Sequence, residues 1–89
     1  MVYRLVGYDR FTELLAEAYD VPPPLVPAAK LAAGVFLADG DFIGDRPLTA
    51  AQAHEIAKLI QRKIDPARVD YFLERYAQVH DRVAATHSA

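Results

Sequence analysis

The sequence predicts a small α+β domain, an N-terminal β-hairpin packed on three helices in the order ββααα. Three observations lead there. Residues 2–8 are rich in β-branched and aromatic side chains and carry no helix signal. Ala53, Ile56, Ala57, Ile60 and Ile64 recur at steps of three and four, and so do Val69, Phe72, Leu73, Tyr76, Ala77, His80, Val83 and Ala84. That is the period of one helical face. Between the two stripes stands Asp65-Pro66, which fits the stop of one helix and the start of another.

Taken in order, the first strand needs a partner for its N–H and C=O groups. Residues 13–20 are ambiguous, because Phe11, Leu14, Leu15, Ala18 and Tyr19 also fit a helical stripe. The need for a second strand favours a hairpin, 2–8 with 13–20, turning at Asp9-Arg-Phe-Thr12 with Asp at the first turn position. The alternative is a helix over 11–20. Val21-Pro-Pro-Pro24 forces an extended corner. A helix is expected to begin near Pro24 and to stop at Gly34, a natural residue for the position after the C-cap. Residues 38–47 read as a loop with Phe42 and Ile43 at its middle. Thr49-Ala-Ala-Gln52 is a capping-box sequence and opens a helix expected over 49–64. Asp65 as N-cap and Pro66 at the first helical position then open a last helix over 66–85, so the C-terminal pair forms an αα-hairpin.

Eighty-nine residues suit one domain, expected over 1–86 with 87–89 as a flexible tail. Hydrophobic residues at 53% and charged residues at 25% belong to a globular chain rather than a disordered one. With no cysteine there is no disulfide framework and no thiolate ligand. No apolar run is long enough for a membrane span and no signal peptide is visible, so a cytoplasmic protein is expected. The net charge of −2 lacks the basic excess of a nucleic-acid footprint.

No constellation points firmly to chemistry. Asp39, Asp41 and Gly44 fit a calcium loop, but Ile43 and Ala50 stand where two ligands are needed. His54-Glu55 runs on to Lys58, so no H-E-x-x-H motif is present. Ser88 is the only serine. Asp70 and Glu74 are four apart, which on a helix is a mildly repulsive surface pair. No metal or cofactor site is expected.

The expected function is therefore non-catalytic: a protein-binding module such as an adaptor, an inhibitor or a regulatory subunit. The partner is a protein, and a homodimer is possible through a strand edge or the last helix. On a last helix, Tyr71, Arg75, Gln78 and Arg82 share the side opposite the apolar stripe, and Tyr and Arg are common interface anchors. Leu59 lies off its helix's stripe, and Phe42 and Ile43 can form an apolar hook. His80 is placed at a helix–helix interface where its protonation can matter. Two other readings stay open. One is a weak DNA-binding regulator using Lys58, Arg62, Lys63 and Arg68 beside the helix junction. The other is a small oligomeric enzyme with His54 or His80 in a shared pocket.

Overall fold

The computed structural model of the chain describes residues 2–35 and 44–76. Its strands are β1 (Val2–Asp9), β2 (Leu15–Val21), β3 (Gly44–Pro47) and β4 (Val69–Tyr76). Its α-helices are α1 (Val26–Ala32), entered through a 3-10 turn at Pro23–Leu25, and α2 (Ala50–Leu59). The strands form one sheet in the order β2-β1-β4-β3, with every neighbouring pair antiparallel.

β1 is hydrogen-bonded along both edges. Leu5 lies between Tyr19 of β2 and Leu73 of β4, and Gly7 between Glu17 and Tyr71. Its odd-numbered side chains face the helices. There Tyr3, Leu5, Val21, Val69, Tyr71 and Leu73 pack with Ala29 and Ala33 from the α1 end and Ala53, Ile56 and Ala57 from α2. The small residues let both helices approach the sheet closely.

The first hairpin forms as the sequence suggests, with β2 starting at Leu15. Asp9 Oδ1 accepts from the N–H groups of Phe11 and Thr12, and Asp9 N–H donates to Leu14 O at 2.8 Å. The turn therefore satisfies its own backbone through the aspartate that begins it. Between the pairs Gly7↔Glu17 and Tyr8↔Leu15, β2 holds one extra residue, a bulge.

Two of the helix ends expected from capping patterns, at Thr49 and at Gly34, are present where the residues call for them. Gln52 N–H donates to Thr49 Oγ1, and Thr49 N–H donates back to Gln52 Oε1 at 2.9 Å. At the end of α1, Gly34 N–H donates to Leu31 O and Val35 N–H to Lys30 O, with Gly34 at φ +81°. This pair of bonds is a Schellman motif. Arg46 of β3 donates to the carbonyls of Ala33 and Gly34, tying the sheet edge to the helix end.

The ββααα architecture with three helices is overturned. The chain builds a four-stranded sheet with two α-helices among the described residues. Residues 44–47, expected within a loop, form β3 against β4, and two further errors completed the wrong architecture. First, α2 stops at Leu59 rather than running to Ile64. Gln61 adopts φ +58°, and Gln61 and Arg62 donate to Lys58 O and Ala57 O, a Schellman ending with no glycine to announce it. Ile64 still packs on the core, so its apolar spacing was real while its helical continuation was not. Second, Asp65-Pro66 starts a turn instead of a helix. Arg68 and Val69 N–H both donate to Asp65 O, and the chain leaves as β4. Asp followed by Pro begins a type I turn as readily as it caps a helix. No αα-hairpin forms, and Tyr71 and Arg75 lie on a strand. Phe42, Ile43, residues 77–85 and the 87–89 tail lie outside the described residues.

Two stability outcomes are expected. A Cβ on Gly7 would sit 2.5 Å from Val69 Cγ1 and 2.8 Å from Tyr71 Cε1. Gly7→Ala should therefore destabilise by about 1–3 kcal/mol in denaturant melts, the usual range for overpacking. Gln61→Gly removes the left-handed strain and should stabilise by about 0.5–1 kcal/mol in the same assay.

Candidate functional site

The helix-facing side of the sheet is braced by a tyrosine. The Tyr71 ring lies over Gly7, its hydroxyl donates to Glu17 Oε1 at 2.8 Å, and it accepts from Asp65 N–H at 3.0 Å. Tyr71 is only 3% exposed, and burial is the main reason its hydroxyl is pushed up to about 12. Arg75 is half-buried on the same side. Leu59 packs against the core, and Arg62 stacks over the Tyr19 ring at 5.1 Å.

The opposite side of the sheet carries Arg4, Val6 and Tyr8 of β1, Asp20 of β2, Asp45 of β3, and Asp70, Phe72, Glu74 and Tyr76 of β4, placed by the strand registers. Glu74 is buried here, and its two oxygens accept from Tyr8 Oη (2.9 Å) and from Tyr76 Oη. Arg4 pairs with Asp20 at 2.8 Å and lies over the Tyr76 ring at 5.1 Å. The Tyr8 and Phe72 rings meet edge to face. The hydrogen bond to Glu74 is the largest cause raising both the Tyr8 hydroxyl and the Tyr76 hydroxyl, the latter to about 12. Both tyrosines therefore stay protonated at neutral pH, the opposite of the shift a tyrosine base needs. The carboxylate and hydroxyls satisfy one another, which makes the cluster a structural network. Its four acids, Asp20, Asp45, Asp70 and Glu74, outnumber Arg4 and Arg10 and repel phosphate.

The tip of the first hairpin is different. Phe11 is 87% exposed, Leu14 69% and Leu15 61%. The backbone beneath them is held firmly. Arg10 donates to Asp70 Oδ1 from two nitrogens and to the carbonyls of Pro66 and Ala67, while its own N–H donates to Arg68 O. Asp9, whose carboxyl is lowered chiefly by the backbone N–H groups of Thr12 and Phe11, anchors the turn from inside. Three exposed apolar side chains within five positions thus stand on a pinned turn and the strand start that follows it.

The pattern does not mark this tip, because Phe11 fits a turn and Leu14 and Leu15 a strand, or all three a helical stripe. Their signal was legible: three large apolar residues within five positions of a turn. Among the residues singled out from sequence, Lys58, Lys63, Arg68 and His54 are exposed. With 69–76 in a strand, the helix pair that would have framed Lys58, Arg62, Lys63 and Arg68 for DNA does not form. Asp70 and Glu74 lie on one side of a strand, the first with Arg10 and the second with the tyrosines. Gln78, His80 and Arg82 lie outside the described residues. Among the described residues no three carboxylate or imidazole groups come together as a metal site. No described helix is long and apolar enough to cross a membrane.

A family model described as a domain of unknown function, DUF7683, matches residues 2–74. The chain belongs to this family. The match takes in the hairpin tip, both helices and β4 as far as Glu74. None of the curated proteins and none of the solved structures compared with the chain matches it. Neither the family nor the geometry of the described residues positively indicates catalysis.

The tyrosine shifts set an alkaline limit. A hydroxyl raised above its ordinary value of 10.0 stabilises the fold in its protonated form. That contribution is complete below pH 10 and is lost as pH rises towards 12. Unfolding free energy measured across this window should fall. Tyrosinate absorbance of the folded protein should lag behind that of the denaturant-unfolded chain.

Proposed function

We propose that this domain is a non-catalytic protein-binding module and that the β1–β2 hairpin tip is its contact surface. The observation that carries the reading is the exposure of Phe11, Leu14 and Leu15 on a backbone fixed by Asp9 and Arg10. Three large apolar side chains left in water within five positions bring no benefit to an isolated fold, and a concentration of exposed apolar surface marks a contact site. A pinned loop also loses little freedom on binding, so more of the apolar burial is kept as affinity. The Glu74 network supports the same reading, because its polar groups are already engaged with each other.

The test places a photoreactive phenylalanine at position 11 in the producing cell, with position 58 on the exposed side of α2 as control. Discrete protein adducts are expected from position 11 and not from position 58. The substitutions Phe11→Ser, Leu14→Ser and Leu15→Ser, made singly, should each shift stability by no more than about 0.5 kcal/mol, as surface changes do. Irradiation that yields no adduct from position 11 above the control would refute the reading.

A further inference from the structure

We infer that the partner at this surface is a second copy of the chain, joined through the outer edges of two β2 strands into one eight-stranded antiparallel sheet. The inference rests on the reading of the hairpin tip as a contact surface and names its occupant.

The two edges of the sheet are unlike. β3 is four residues long and ends in Pro47, which has no N–H to offer, and a short proline-ended edge is protected against pairing. β2 is seven residues long, contains neither Pro nor Lys, and has no neighbour on its outer side among the described residues. Ala16 and Ala18 are small and exposed there, so another backbone can approach.

The strand is also complementary to itself. A two-fold axis normal to the sheet pairs residue i with residue j of constant sum, and the sum must be even for like faces to match. Centring on Glu17 or on Asp20 would set like charges against each other. Ala18 lies at the middle of β2, between the bulge before Glu17 and Pro22, which has no N–H. Centring there sets Ala18 against itself and Glu17 against Tyr19, on the regular side of the bulge that precedes Glu17, with no like charges opposed. Asp20 keeps its Arg4 partner on its own chain.

The same operation carries the tip of one chain beyond the end of the other's strand. Because the two β2 strands run antiparallel, the hairpin tip of one chain comes to the Val21-Pro22 end of the other's β2. Pro22, Pro23 and Pro24 are all exposed in the single chain. One symmetric contact therefore covers both the apolar tip and the proline corner, twice.

The decisive measurement is sedimentation equilibrium of the intact protein over a concentration series, with A18K and A18E. Wild type should reach twice the chain mass. Each variant should fall to the chain mass with an unchanged circular dichroism spectrum, because like charges then meet on the axis. An equimolar mixture of the two should regain the doubled mass. The inference is overturned if wild type stays at the chain mass throughout. It is likewise overturned if either variant alone keeps the doubled mass, or if the mixture fails to regain it. A monomeric wild type that still gives an adduct with a different protein from position 11 defeats the dimer and leaves the binding-module reading standing.

Discussion

The approach of Tyr71 to Gly7 is the contact on which the arrangement depends. β1 is the one strand flanked by long ladders on both sides, and β4 must lie against it with an aromatic ring turned towards the helices. Only a residue without Cβ leaves room for that ring. Once seated, the Tyr71 hydroxyl reaches Glu17 on β2 and the Asp65 backbone in the turn before β4. One side chain thus spans three strands and fixes where the last strand begins.

The two sides of the sheet solve their polar problems differently. Towards the helices, burial is mostly aliphatic, and the Tyr71 hydroxyl is satisfied both as donor and as acceptor. On the other side a buried carboxylate is held between two phenols, Arg4 pairs with Asp20, and Arg10 pairs with Asp70. Satisfied networks of this kind add rigidity without offering reactive groups. The apolar tip is where this economy stops, since nothing in the described chain shields Phe11.

How much of this was readable from the sequence depended on whether the signal was local. The hairpin, the Thr49–Gln52 capping box and the Gly34 stop are decided within a few residues, and each was legible. The fourth strand was not. Val69, Tyr71 and Leu73 alternate, while Val69, Phe72, Leu73 and Tyr76 keep helical spacing, so periodicity alone cannot arbitrate. What decides it is a demand made 60 residues away: β1 has a second edge to satisfy, and Gly7 leaves a space for a ring. The early end of α2 at a left-handed glutamine was silent for another reason, because Gln carries no preference for that geometry. The candidate surface suffered in consequence. Once Tyr71 is assigned to a strand it becomes a core residue, and the exposed anchors turn out to be those of the first hairpin.

The pairing of β1 with β4 joins residues 2–9 to residues 69–76. During synthesis, β1 and β2 leave the ribosome early and can form their turn at once, yet β1 keeps a bare inner edge until position 76 has emerged. Closing so long a loop is slow relative to local contacts. Through that interval the nascent chain shows a hydrogen-bonding edge and an uncovered Leu5, the kind of species on which chaperones act and which a premature stop before Val69 would make permanent.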